Sequence, residues 1–284
     1  MLKDIIRLFR PKQWYKNFII FLPLIFSGNL FNTSAALQAL TAFASFCALS
    51  SATYIINDYV DRNRDKHHPE KKNRPIASGA ISAPLAIILA GITLIIGVLF
   101  AIKLPITFGY AATAYFTLSQ IYTFWLKHET FADILAIATN FVLRAVAGAY
   151  AISVAVSPWL ILGVFFLAIY LVLGKRRADI AFLSNAKAHR PSLAGYTAEL
   201  TNTFSIIATT LLVISYTLYV FFGTYNLLYI TLPLALYSLF RYETIIASGN
   251  KISRHPEYVI TDKKMMITIA IWGILTFAIL YFLK

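Results

Sequence analysis

Apolar runs of about 20 residues recur along the chain, separated by short polar stretches. Read for that pattern alone, they predict nine helices, at 18–34, 37–56, 84–103, 106–126, 131–152, 158–174, 203–222, 226–242 and 266–283. A membrane barrel would instead show short segments of alternating polarity, about 10 residues each. Every backbone group within lipid must find its partner inside the segment, which leaves helices as the spanning element. The first run is the weakest, because Pro23 and Gly28 interrupt it. No repeat and no long linker divides the sequence. The expected organisation is therefore a single transmembrane domain, residues 1–284, with two polar cap loops at about 58–80 and 175–202.

Composition turns this pattern into a class. The chain is 59% hydrophobic and only 13% charged, where soluble domains carry about a quarter charged residues. The expectation is an all-α integral membrane protein whose standing partner is the lipid bilayer. The lone cysteine, Cys47, rules out a disulfide within the chain and sits in an apolar run, as a small buried side chain would. The N-terminal segment is too long and too polar for a cleavable signal peptide, and it is expected to be retained.

Charge then orients the bundle. Of the 25 lysines and arginines, 22 lie in residues 1–17, 58–80, 127, 175–202 and 241–264. Only Lys103 and Lys284 lie on the other side, and Arg144 lies within a span. The positive-inside rule places the crowded side, and the N-terminus, in the cytoplasm. All 12 acids lie on that side too, which leaves it a formal charge of about +10. The bases are split among five segments around a membrane core, so nucleic-acid binding is not expected. They serve topology, and they also suit a basin for phosphorylated substrates.

The densest chemistry is "NDYVDRNRD", residues 57–65. Asp58, Asp61 and Asp65 are spaced i, i+3, i+7 and share one helical face, with Asn57 beside them. Acids at a helix C-terminus repel one another and oppose the macrodipole. A cation should compensate: Mg²⁺, the nearby bases, or both. Magnesium takes carboxylate and phosphate oxygens together. An acidic row beside Lys71, Lys72 and Arg74 therefore suits a Mg²⁺-bound diphosphate, although an ordinary salt-bridged loop has the same composition.

This stretch resembles the NDxxDxxxD motif of the UbiA superfamily of intramembrane prenyltransferases, whose nine helices match the count above. "RPKQWYKN", "HPEKKNRPIASG", "FVLRAVAGAY", "GKRRAD" with "RPSLAGYT", and "RHPEYVITDKKMM" resemble more closely its branch that transfers phosphoribose to decaprenyl phosphate. Prenyltransferases of the superfamily carry a second acidic motif after the sixth helix. Here that place reads "YLVLGKRRADIAFL", with Lys175, Arg176 and Arg177 and only Asp179. The run is also what a positive-inside stop would look like. The resemblance implies one principal metal site and cations for further phosphate groups.

Arg144 stands about thirteen residues into its span, where a charge costs roughly 2.5–3.5 kcal/mol on insertion scales. It should face the interior and have a partner. Asp133, Asn140 and Arg144 share a face and are expected to line a polar cavity or to fix helix packing. Trp14 reads as an interfacial anchor. Lys16 and Asn17 are drawn into the same cavity chiefly by the resemblance. The five histidines show no metal-ligand spacing.

The resulting expectation is a nine-helix, UbiA-like enzyme of the bacterial plasma membrane, multi-pass, with its active site on the cytoplasmic side. It would transfer 5-phosphoribose from 5-phosphoribosyl 1-diphosphate to a polyprenyl phosphate. Asn57, Asp58, Asp61 and Asp65 would hold Mg²⁺, with Asp58 and Asp61 central to catalysis. Lys16, Asn17, Lys71, Arg74, Asn140, Arg144, Lys175 and Arg176 would bind substrate. Two alternatives stay open: prenyl transfer to an aromatic or glycerol-phosphate acceptor, and lipid binding or transport without chemistry.

Overall fold

The computed structural model describes residues 2–68, 71–182, 191–248 and 256–283. Residues 69–70 of the first expected cap, 183–190 of the second, and Lys284 lie outside these. Among the described residues the regular structure is helical, with no strand. The α-helices are α1 (Leu2–Phe9), α2 (Leu22–Phe26), α3 (Thr33–Asp65), α4 (Ala83–Ala101), α5 (Ile106–Phe124), α6 (Ala132–Ala151), α7 (Pro158–Phe182), α8 (Ala198–Phe222), α9 (Leu232–Ala247) and α10 (Lys263–Tyr281). Six of them, α3, α4, α6, α7, α8 and α10, are long and apolar enough to cross a membrane. Of the other expected spans, α5 carries Tyr115, Ser119, Gln120 and Thr123, and α9 has only 16 residues.

The expected first span departs most from a single helix. A 3₁₀ helix, Pro11–Phe21, passes into the short α2, and a turn with Gly28 at φ 74° follows. Pro23 is tolerated because it lies in the first turn of α2, where its missing N–H has no helical partner to lose. The acidic row departs in the other direction. The row is helical to Asp65, as its spacing predicted, although the cap loop was expected from residue 58; α3 therefore runs 33 residues, about 50 Å, against a hydrocarbon core of about 30 Å. Its start is capped by Asn32, whose side chain accepts from the Ala35 N–H at 3.1 Å. Arg62 and Arg64 in the last turn offset the dipole. The second expected cap is likewise partly helical, since α7 reaches Phe182 and α8 begins at Ala198.

The chain divides into two compact units, residues 1–127 with 139–156 and residues 128–138 with 157–284. In the first, α3 packs along α4. Gly97 permits that approach: its carbonyl accepts from Ser45 Oγ at 2.8 Å, and a Cβ there would run into Leu49. Gly148 of α6 abuts the backbone of Ile20 and has no room for a side chain. Phe46, Phe108 and Tyr115 form the aromatic centre of this core. A smaller cluster buries Leu8, Ile55, Ile76 and Ile81, which ties α1 and the 71–82 turns to α3. In the second unit, Tyr170, Leu173, Tyr242 and Ile246 pack α7 against α9. Asp262 caps α10 through the Met265 N–H and takes a two-pronged contact from Arg241. That guanidinium first, then the cap bond, holds the Asp262 carboxyl below its ordinary range. Rows of exposed isoleucines on α4 (Ile87, Ile88, Ile92, Ile95) and α10 (Ile267, Ile271, Ile274) fit lipid contact in an integral membrane protein.

Candidate active site

Asp58 and Asp65 of the acidic row on α3 are buried, Asp61 is partly so, and each of the three meets a cation. Asp58 is only 2% exposed, and one of its oxygens, Oδ1, accepts from both Arg10 (2.5 Å) and Arg74 (2.9 Å). Arg74 also reaches Asp65 at 2.7 Å, and Lys127 pairs with Asp61 at 2.6 Å. Lys127 lies 3.4 Å from Asn57 Oδ1 as well. Lys71 acts on Asp65 electrostatically and donates its backbone N–H to His68. The sequence expected a cation to compensate this row, and the structure brings three from three separate segments: the N-terminal stretch, the turn after α3 and the stretch after α5.

Arg10 holds an unusual place among them. It is the residue before the 3₁₀ helix, in left-handed conformation with φ 52° and ψ 55°, which non-glycine residues adopt rarely. Its guanidinium lies 5.1 Å from the centre of the Tyr54 ring. The backbone on either side is fixed: Ser51 Oγ donates to the Phe9 carbonyl at 2.8 Å, and the Gln13 N–H donates to the Arg10 carbonyl at 2.8 Å. Trp14 donates its indole N–H to Ser51 Oγ, so this expected interfacial anchor also braces the segment.

Further along α3 a second polar cluster surrounds Arg144, which is 5% exposed. Its Nε donates to Asn17 Oδ1 (2.9 Å), one terminal nitrogen to the Asn140 carbonyl (2.8 Å) and the other to Tyr115 Oη (3.0 Å). The rings of Tyr115 and Phe141 lie 4.6 and 5.1 Å from the guanidinium carbon. Asn17 also reaches Ser50 Oγ, and Ser119 donates to Asn140 Oδ1. All these partners are neutral, and among the described residues no carboxylate pairs with Arg144. Lys16 is half-buried, with its ammonium 6.0 Å from the Tyr15 ring centre.

In the second unit, Asp133 and Arg176 form a buried ion pair at 3.0 Å. Ser192 Oγ (3.1 Å) and Tyr196 Oη (2.7 Å) also donate to the Asp133 carboxylate. Burial first, and then the bond to Asp133, push the Tyr196 phenol well above its ordinary range, so it stays a donor. Tyr196 Oη in turn accepts from the N–H of Phe131, which has φ 68°. Asp133 thus serves Arg176, not the Arg144 cluster that shares its helical face. Arg177 pairs with Glu243 at 2.6 Å, and Lys175 is exposed.

The sequence read Asn57, Asp58, Asp61, Asp65, Lys71 and Arg74 together, and Asp133, Asn140 and Arg144 with Lys16 and Asn17 as another group; the structure joins Asn17, Asn140 and Arg144 and places Asp133 with Arg176. The sequence reading missed Arg10, Lys127 and Tyr115. A signal was available for two of them: Arg10 opens the "RPKQWYKN" stretch, and Lys127 is the lone base of its loop.

Oxygen donors on one buried helical face are the chemistry Mg²⁺ takes. Among the described residues no three acidic, histidine or cysteine side chains converge as a ready cage. Magnesium commonly takes one or two carboxylates and completes its shell with substrate phosphate and water.

Comparison with known proteins agrees. The model of the UbiA prenyltransferase family matches residues 18–258. A decaprenyl-phosphate phosphoribosyltransferase of Corynebacterium glutamicum is 34% identical over 221 residues, 76% of this chain and 67% of that protein. One of Mycolicibacterium smegmatis is 30% identical over 226 residues, 78% of this chain and 71% of that protein. A UbiA homologue of Archaeoglobus fulgidus, solved with GPP and Mg²⁺, superposes with a TM-score of 0.75 at 22% identity, covering 98% of this chain and 99% of that one. An all-helical membrane chain with an acidic row ending one long helix, and with relatives of this kind, belongs to the UbiA prenyltransferase family.

Proposed function

We propose that this chain transfers 5-phosphoribose from 5-phosphoribosyl 1-diphosphate to a polyprenyl phosphate and releases diphosphate. The observation that carries the reading is its charge pattern. One carboxylate row ends α3, and no second acidic row follows in α7, where Asp179 is the one acid beside Lys175, Arg176 and Arg177; Arg176 and Arg177 pair with Asp133 and Glu243, and Lys175 is exposed. The substrate pair has a diphosphate, a 5-phosphate and a lipid phosphate, and it calls for more cations than a prenyl diphosphate with an aromatic acceptor. The names of the two relatives above support the same reaction.

Asn57, Asp58, Asp61 and Asp65 are the residues that would hold Mg²⁺. When bound, the ion neutralises charge on the departing diphosphate. Arg74, Lys71, Lys16 and Lys175 grip phosphate oxygens. Asn17, Asn140 and Arg144 offer donors to the sugar or to a phosphate, in surroundings where an unscreened positive charge favours an anion. Arg176 is committed to Asp133, so here it becomes a positioning residue, which holds α7 to the 191–196 segment. A lipid phosphate oxygen forms a bond to the anomeric carbon as the bond from that carbon to diphosphate breaks. The nucleophile is already an anion, so no general base is required. The site faces the cytoplasm of a bacterial plasma membrane in this reading, where phosphoribosyl diphosphate is water-soluble and the polyprenyl chain stays in the bilayer.

Prenyl transfer is the second reading, favoured by the geranyl diphosphate named for the archaeal structure. Purified protein with Mg²⁺, polyprenyl phosphate and labelled phosphoribosyl diphosphate separates the two. Label should pass into the organic phase. If it passes there only from prenyl diphosphate with an aromatic acceptor, the second reading replaces the first.

A further inference from the structure

The α3 row carries three carboxylates, Asp58, Asp61 and Asp65, and three side-chain cations pair with them directly: Arg10, Arg74 and Lys127. The chain itself thus supplies each carboxylate with a cation, and Lys71 acts on Asp65 besides. A divalent ion entering alone would meet carboxylates already occupied, and it would leave three displaced cations in a largely buried place. A divalent ion entering with a diphosphate meets a different balance. The phosphate oxygens accept the displaced cations while the carboxylates turn to the metal.

We propose that Arg10 is a diphosphate-binding residue that exchanges Asp58 for phosphate, and that this exchange makes metal uptake depend on diphosphate. The inference rests on the acidic row's being the metal-diphosphate site, and it deepens that reading. Arg10 is suited to the exchange for a geometric reason. Its backbone is held in the left-handed region and tied on both sides, through Phe9 to Ser51 and through its own carbonyl to Gln13. Only the side chain is left to move. Asp58 Oδ1 accepts from Arg74 as well as Arg10, so Arg10 can leave without stranding the carboxylate. The planar fork of a guanidinium then matches a phosphate as well as it matched the carboxylate. Strained backbone that the surroundings over-determine is a recurrent feature of ligand-gripping residues.

The test uses full-length protein in detergent, Mn²⁺ as the metal and inorganic pyrophosphate as the anion. Metal held by the protein is measured as the Mn²⁺ retained with it on rapid gel filtration, against a protein-free blank, because pyrophosphate itself binds Mn²⁺. The wild type should bind Mn²⁺ about tenfold more tightly with pyrophosphate than without it, within the usual span of coupling between sites. Arg10→Asn removes the charge and keeps a residue that tolerates the left-handed backbone. It should bind Mn²⁺ alone more tightly than wild type, and its gain from pyrophosphate should fall to about two- or threefold. Arg10→Lys should recover part of the coupling. A merely structural arginine would weaken both titrations together. Equal Mn²⁺ affinity with and without pyrophosphate in the wild type, or an Arg10→Asn variant matching wild type in both titrations, would overturn the inference. No phosphoribosyl compound is present. A wild type that shows the coupling yet transfers no phosphoribose overturns the proposed reaction and supports the inference. A wild type that binds Mn²⁺ under neither condition overturns both.

Discussion

At the scale of single residues, the acidic row is not three equivalent carboxylates. Asp58 is almost fully buried and bridges two arginines, whereas the Asp61 side chain is 19% exposed and meets one lysine. Breaking a buried charge pair costs roughly 3–5 kcal/mol because the partner is left behind. The Asp61–Lys127 pair is more open on its acidic side, but Lys127 itself is buried, so losing Asp61 also strands a charge. Asp58→Asn should therefore lower both thermal stability and phosphoribosyl transfer. Asp61→Asn breaks one cation contact where Asp58→Asn breaks two, so it should lower the melting temperature less than Asp58→Asn does, and it should lower turnover about a hundredfold, the usual scale for losing one electrostatic contact to a transition state. Equal losses of stability in the two variants would show that the second cation contact does not separate their roles. Spacing made the row legible, since i, i+3, i+7 places all three acids on one face. Their partners were not legible. Arg10 is 48 residues from Asp58, and Lys127 is 66 from Asp61. No periodicity within a helix encodes contacts at such separations. The same holds for Tyr115, whose hydroxyl meets Arg144 across 29 residues. Arg144 announced that it needed partners, but nothing in the sequence says that they are neutral.

At the scale of helices, hydropathy located the long elements well and their polar ends poorly. It began the cap loop at residue 58, where charge starts, although the spacing of the three acids read as helix. The helix continues because Arg10, Arg74 and Lys127 relieve the repulsion that the row would otherwise impose on it. It also assigned one span to 18–34, where Arg10 in left-handed conformation, Pro11 and Pro23 give instead a 3₁₀ helix and a short α2. The 3₁₀ segment matters because Asn17 reaches Arg144 from it. Its seat on α6 is Gly148, against which the Ile20 backbone lies. Gly148→Ala should push the two elements apart and cost about 1–3 kcal/mol, as overpacking does. It should also weaken substrate binding through the shifted Asn17. Gly91→Ala on α4, where an added methyl meets nothing within 4 Å, should be neutral or slightly stabilising, since alanine favours helix. Thermal unfolding of the two purified variants checks the contrast. A Gly148→Ala protein as stable as Gly91→Ala would mean that the contact yields at no cost.

For the molecule in its membrane, the strongest sequence signal is the distribution of cations, and it can be tested independently of any chemistry. Lys103 follows α4 and Lys72 follows α3, and both are exposed. α4 lies between them and is long and apolar enough to cross once, so the two lysines should sit on opposite faces. The positive-inside rule assigns Lys72 to the cytoplasm, because five other bases share residues 58–80. The native chain supplies a quiet background for thiol labelling, since Cys47 is its one cysteine and is buried. A membrane-impermeant maleimide added to intact cells should label Lys103→Cys and spare Lys72→Cys until the membrane is opened. The reverse pattern would turn the acidic row outward, away from the cytosolic supply of a water-soluble phosphoribosyl donor. That single result would remove the reason for reading the basic face as a basin for such a substrate, even with every ion pair on α3 left in place.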